Sequence, residues 1–350
     1  MPADLTPHVP GPGYGPGSGP VSGPGLPHTP EASARPEDAP GQGATVPVRR
    51  PQPGAGARPD GPIRPTLPAA FRSHPTVQRT TVVTLTSIPP RFAHLPARFR
   101  AIARQTMRPA RVQLTLPRQY RRFPGERPTL PPLPDWVEVF ECDHDFGPAT
   151  KLLPAVRRWA GTPTDLLVCD DDRRQDRNWI ARLTAARAAR PDAIVCERGW
   201  SVDDRFALRR SAPVQPRARP AAQGGRTVGY RLARALSLGL LHPDRKLFAK
   251  AGHVDVFEGF LGAIIPVEAV PERAFDIPEV LWTVDDVWIS GMAATRGTMV
   301  WVHDTPRPVH SDGPVDRIHA LRHHTERGIG RDDADRLAVE WFRDRYGIWT

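Results

Sequence analysis

From Thr81 onward the chain alternates short β-branched runs with stretches at helical spacing, and this alternation constrains its fold more than any other feature. Thr81-Val82-Val83-Thr84-Leu85 reads as a strand, and Leu95, Phe99 and Ile102 then recur on one helical face. The same pairing repeats. Strands are expected at Val112–Leu116, Val137–Phe140, Leu166–Cys169, Ala193–Cys196 and Thr298–Val302. Between and after them, helices are expected to carry Leu152, Leu153, Val156 and Trp159, then Trp179, Ile180 and Leu183, and finally Ala334 to Tyr346. Strand–helix alternation of this kind predicts an α/β fold, with a mostly parallel sheet flanked by helices on both faces. Arg209 to Arg226, rich in Arg, Pro, Gly and Ala, breaks the pattern and reads as a mobile loop or insertion.

The alternation does not extend to the start of the chain. Of the first 75 residues, 31 are Pro or Gly, and large apolar side chains are sparse. Such a segment cannot offset the entropy of ordering itself, so residues 1–76 are expected to form a disordered Pro/Gly-rich tail. The rest of the 350 residues is enough for a sizeable core.

The formal charge of +10 invites an anionic partner. Its origin is a skew: 45 arginines against three lysines, Lys151, Lys246 and Lys250. No aromatic RNA-binding run or Cys/His finger accompanies the charge, so no nucleic acid is expected. The charge does allow peripheral contact with an anionic membrane. Cys142, Cys169 and Cys196 form no CxxC pair and read as buried structural thiols. There is neither an apolar leader nor a run long enough to span a bilayer, so a cytoplasmic location is expected, with the inner membrane face as a peripheral site.

The most chemically loaded segment is Asp170-Asp171-Asp172, which follows the apolar run Leu166-Leu167-Val168-Cys169. Clustered acids at the carboxyl end of a buried strand repel one another and call for a compensating cation. In open α/β sheets that edge is where ligands sit. A hard divalent ion sharing carboxylate and phosphate oxygens suits the position, although acids there could also simply cap a helix. Lys151 follows a Gly-Pro turn at what reads as a helix start, an unfavourable place for a cation, and this suggests an anion nearby. A second acid pair, Asp285-Asp286, lies between apolar residues where a cap needs only one acid.

The order of these pieces resembles the GT-A glycosyltransferases, in particular a bacterial family-2-like branch. The matching residues are Thr84-Leu85-Thr86-Ser87-Ile88-Pro89-Pro90-Arg91, Gly147-Pro148-Ala149-Thr150-Lys151-Leu152, Val168 to Asp172, Gly259-Phe260-Leu261-Gly262, and Val284-Asp285-Asp286-Val287-Trp288. They span about residues 80–312. The resemblance implies a GT-A, Rossmann-like fold over residues 77–350. Residues 77–198 would form the nucleotide-sugar half, 199–312 the acceptor half and 313–350 a helical extension.

It also implies roles. Asp170 and Asp172 would be the DxD pair that holds Mn²⁺ or Mg²⁺, with Asp170 also near the ribose. Thr86, Ser87 and Arg91 would lie near the nucleotide base, with Arg91 able to pair with diphosphate, and Lys151 would sit by the phosphates. Gly259 and Gly262 would form a loop passing the donor sugar. Asp286 would be the general base, beside Asp285 where the family has Glu. A C-terminal histidine would complete the metal shell, for which His310 and then His303 are the candidates. Separately, Arg198 is a further site candidate because it lies next to a strand end.

The implied activity is that of a metal-dependent, inverting glycosyltransferase of the hexosyltransferase type. It would move a sugar from a nucleoside-diphosphate-sugar to a hydroxyl of a saccharide or lipid-linked saccharide, in surface polysaccharide or glycoconjugate synthesis. Two alternatives use other logic. A metal-dependent phosphohydrolase could use the same acids, but the usual nucleophilic Asp after the first strand is replaced by Thr86-Ser87. A non-enzymatic basic protein could bind nucleic acid or anionic membrane, with affinity falling steeply in salt.

Overall fold

The computed structural model describes residues 78–126, 129–210, 213–238, 240, 243–308, 315, 318–319, 321 and 324–350. The expected tail, residues 1–76, and His310 therefore lie outside the described residues.

The strands are β1 (Thr80–Leu85), β2 (Arg111–Pro117), β3 (Val137–Cys142), β4 (Thr164–Val168), β5 (Ala193–Cys196) and β6 (Gly199–Trp200), then β7 (Arg219–Pro220), β8 (Phe248–Lys250), β9 (Gly252–Val254), β10 (Val256–Phe257), β11 (Ala263–Pro266) and β12 (Met299–Val302). The α-helices are α1 (Leu95–Ala103), α2 (Leu153–Arg158), α3 (Trp179–Ala189), α4 (Val202–Phe206), α5 (Val228–Leu236), α6 (Asp285–Ala294) and α7 (Arg331–Tyr346).

Eight strands form one sheet in the order β3-β2-β1-β4-β11-β5-β12-β9. The neighbours β3, β2, β1 and β4 run parallel, as do β5 and β12. β11 lies antiparallel between β4 and β5, and β9 is antiparallel at the edge beside β12. The mostly parallel α/β architecture expected from the alternation is present. The two antiparallel strands were not anticipated. β11 is as apolar as its neighbours, β9 is only the three residues Gly252-His253-Val254, and periodicity carries no information about which strand a segment will join.

Both faces of the sheet are covered, which explains why Leu166-Leu167-Val168 of β4 and Ala193-Ile194-Val195 of β5 are apolar on both sides of the pleat. Side chains alternate across the pleat, so Val82, Leu166, Ile194 and Val300 pack on one face, with α2, α6 and α7. Val83, Leu167, Val195 and Ile264 pack on the other, with α1 and α3. α6 is buried almost throughout, as a helix enclosed by the body must be. Its Gly291 admits the Phe342 ring of α7, since a Cβ there would lie 2.2 Å from the ring.

The segment from Arg209 to Arg226, expected as a mobile loop, is partly built into structure. β7 pairs antiparallel with β8, and α5 follows it. Cys169 and Cys196 are buried free thiols, whereas Cys142 at the end of β3 is only half-buried. Among the described residues no helix is long and apolar enough to cross a membrane.

Candidate active site

β1 and β4 run side by side in parallel register, with Thr84 opposite Val168, so the residues that follow each strand emerge at the same edge. β1 has β2 on its other side, and the strand order therefore reverses between β1 and β4. In an open sheet such a reversal opens a crevice at the carboxyl ends of the strands. A cleft of about 310 Å³ lies there. Thr86, Ser87 and Arg91 line it from the β1 side, Asp170, Asp171 and Asp172 from β4, and Lys151, Asp285 and Asp286 from elements that follow β3 and β11. Residues separated by up to two hundred positions in the chain thus share one wall.

The three acids occupy three different environments. Asp171 accepts a hydrogen bond from the Ser87 hydroxyl and pairs with Arg91 Nη1 at 2.9 Å. Asp172 shares the same Arg91 nitrogen, also at 2.9 Å, while its Oδ1 is buried with no hydrogen-bond partner. Asp170 pairs with Lys151 Nζ at 2.8 Å and is the most open of the three, its side chain about a third exposed (33%) against 8% for Asp172.

The protonation behaviour follows these environments. Burial, then the charges of Asp170 and Asp171, push Asp172 up to about 7. Burial would also raise Asp170, but Lys151 outweighs it and leaves that carboxyl below its ordinary range. Burial opposes the Arg91 charge, but Asp171 and Asp172 hold it firmly in place.

Lys151 ends a 3-10 turn, Gly147–Lys151, instead of opening a helix, and it is 5% exposed. Its backbone carbonyl accepts a hydrogen bond from the Thr84 hydroxyl at 2.6 Å, which ties it to β1. The anions that face it belong to the protein: Asp170 at 2.8 Å and Asp285 Oδ2 at 3.0 Å. The turn is made possible by Gly147, at φ +60°, where a Cβ would meet the Trp282 ring at 2.7 Å.

Asp286 is buried beside Asp285 at the start of α6, and its Oδ1 accepts the Gly259 backbone N–H at 3.1 Å. Burial, and next the charge of Asp285, push its carboxyl well above the ordinary range. A Cβ on Gly259 would lie 2.9 Å from Asp286 Oδ1 and 3.3 Å from Lys151 Nζ, so that position requires the missing side chain. Gly262, the second predicted glycine, does not line the cleft. Its φ is +115° and it packs against Trp179, a local structural demand.

Of the histidine candidates, His303 lies away from the cleft lining, with Nε2 at 3.6 Å from Glu197 and Nδ1 accepting the Thr305 N–H. Arg198 is half-exposed and pairs with Glu258, which does line the cleft, at 2.6 Å.

Several cleft residues had no signal in the sequence reading. Arg331, at the start of α7, is the clearest. Burial opposes its charge, but Asp286 and Asp285 more than compensate and raise its pKa. A cation in the first turn of a helix was the available clue, the same one that drew attention to Lys151. Tyr120 was also missed. It donates from its hydroxyl to the Ser87 carbonyl at 3.1 Å and so supports the loop after β1.

Among the described residues no three His, Cys, Asp or Glu side chains are gathered in the geometry of a formed metal centre. The donor chemistry nevertheless fits a hard cation. Asp172 holds a buried carboxylate oxygen that accepts no hydrogen bond and has only Arg173 Nε, at 3.8 Å, as an ion-pair neighbour, and the crowding of acids around it is relieved by positive charge. Asp170 and Asp172 could supply two carboxylates to Mg²⁺ or Mn²⁺, an ion that takes its remaining ligands from phosphate and water.

Neither family models nor curated proteins match the sequence. Among solved structures the chain is similar to S. aureus TarS residues 1–349, with a TM-score of 0.35 and 11% identity over 65% of this chain and 58% of that one. The same TarS segment in complex with UDP gives a TM-score of 0.35 and 11% identity, covering 64% and 58%. A TarS crystal structure not limited to that segment gives 0.37 and 10%, covering 78% and 44%. The chain spans less than two thirds of the length of each.

Proposed function

We propose that this protein is a metal-dependent, inverting glycosyltransferase of the GT-A type. It would transfer a hexosyl group from a nucleoside-diphosphate-sugar to a hydroxyl of a saccharide or lipid-linked saccharide, in surface polysaccharide or glycoconjugate synthesis. The observation that carries the reading is the position of Lys151 between Asp170 and Asp285, which puts the two acid sets on one cleft at the strand-order reversal. A transferase needs both a place for a leaving diphosphate and a base for an incoming hydroxyl, and it needs them close together.

In this reading Asp170 and Asp172 hold the divalent ion, which when bound supplies charge stabilisation to the departing diphosphate. Ser87 and Arg91 fix Asp171 and Asp172, so the metal-holding wall is rigid before substrate arrives. Lys151 keeps Asp170 ionised and holds the two acid sets at a set distance. Asp286 takes the proton of the acceptor hydroxyl on its carboxylate as that oxygen attacks the anomeric carbon. Its raised pKa makes it a stronger base than an ordinary aspartate once ionised. The Gly259 N–H orients that carboxylate. One base and a single displacement give inversion.

The phosphohydrolase alternative is disfavoured by the residues after β1. Thr86 and Ser87 line the cleft where that chemistry places an aspartate nucleophile, and the Ser87 hydroxyl is engaged with Asp171. The test is incubation of the purified full chain with a panel of nucleotide-sugars and Mn²⁺, following release of free nucleoside diphosphate. No binding or turnover of any donor, together with no change on Asp172→Asn, would remove the proposal.

A further inference from the structure

Helix α5 is amphipathic in the reverse sense to an ordinary surface helix. Tyr230, Ala233, Arg234 and Ser237, at positions i, i+3, i+4 and i+7, are the less exposed ones and face the body. Arg245 packs over the Tyr230 ring at 5.5 Å and donates to the Gly224 carbonyl at 2.8 Å, so this inner side is held by polar and cation–π contacts. The apolar stripe, Val228, Leu232 and Leu236, points outward, and with Leu238 and Leu240 its side chains are between 58% and 91% exposed. Of the nine strongly exposed large hydrophobics among the described residues, these are five.

The segment that carries the stripe has charge of one sign. From Phe206 to Pro243 the sequence has seven arginines and no acidic residue, and of these Arg210 and Arg217 are taken up by ion pairs with Asp255 and with Asp203 and Asp204. Arg226 and Arg231 are exposed on the same segment as the leucines. A protein partner of mixed charge would have no need of that exclusion. A surface of anionic headgroups over acyl chains requires both halves of the pattern: leucines to enter the apolar boundary and arginines to meet phosphate.

We propose that α5 and the leucines just after it form a docking site for an anionic phospholipid bilayer, on which the helix lies parallel to the membrane plane. The site is separate from the cleft and does not depend on the reaction assigned to it.

The test is co-sedimentation of the purified full chain with vesicles of phosphatidylcholine alone or of phosphatidylcholine mixed with phosphatidylglycerol. The wild type should sediment with the mixed vesicles, poorly with the neutral ones, and less as salt rises. The double variant L232E/L236E should retain its circular dichroism spectrum, because both side chains are exposed, and should lose about tenfold or more in vesicle affinity. R226Q/R231Q should lose less, with a shallower salt dependence. Equal sedimentation with both vesicle types, or unchanged binding by L232E/L236E, would overturn the proposal. So would absence of vesicle binding in a wild type that is dimeric by size exclusion and becomes monomeric in L232E/L236E, which would assign the face to a second copy of the chain.

Discussion

The Lys151 ammonium lies 3.0 Å from the Asp285 carboxylate, although Lys151 follows β3 and Asp285 opens α6, far along the chain. A second contact at 2.8 Å joins the same ammonium to Asp170. One buried cation therefore sets the spacing of two acid sites, and the consequences can be measured.

Replacing Lys151 with Met would leave Asp170 and Asp285 near one another without their shared cation. Breaking a buried charge pair from one side typically costs about 3 kcal/mol. Urea denaturation at neutral pH should show a loss of this order, shrinking at low pH where the acids protonate. An unchanged midpoint at neutral pH would mean that the ion pairs contribute nothing to stability.

Asp172→Asn bears on both the metal and the pH dependence. In the native chain Asp172 titrates near 7, above the ordinary carboxylate range, so the folded state binds this proton more tightly than the unfolded state does. Without divalent ions, stability should fall as pH rises from about 4, the ordinary carboxylate value, towards 7, and the variant should lose that component. Added Mn²⁺ should raise the thermal midpoint of the native chain and leave that of the variant nearly unmoved. A Mn²⁺ shift of equal size in both would place the ion elsewhere.

Asp286→Asn preserves an oxygen to accept the Gly259 N–H but removes the base. Transfer to an acceptor should drop by about 10² to 10⁴, with donor binding retained. Because the Asp286 carboxyl is raised by burial and by Asp285, the native rate should increase with pH until that group is ionised, and the residual rate of the variant should lack this rise. Retention of the native pH profile in the variant would rule Asp286 out as the base.

Gly259→Ala is a purely steric test. The backbone there is not in the left-handed region, so alanine can adopt it, but the new methyl would press on Asp286 Oδ1 at 2.9 Å. The cost in stability should be modest, about 1 kcal/mol. Turnover should fall by about tenfold or more, because the carboxylate is displaced from its position. Native turnover would mean that Asp286 need not be held where the Gly259 N–H holds it.

The sequence by itself determined the parallel core. β1, β2, β4, β5 and β12 were legible because a buried strand in such a sheet must be a short β-branched or apolar run bounded by turns, and local composition records that. The acids at Asp170–Asp172 and Asp285–Asp286 were legible for the same reason: each stands directly against an apolar element that shows where it will be held. Tertiary structure decided which of these pieces meet. The insertion of β11 between β4 and β5, the sharing of Arg91 by Asp171 and Asp172, the arrival of Arg331 beside Asp286, and the outward face of α5 depend on contacts between residues distant in the chain. A local pattern can show that Lys151 needs an anion. Only the packed sheet brings Asp170 and Asp285 within 3.0 Å of it, because burying that charge is tolerable only where the fold supplies both carboxylates at once.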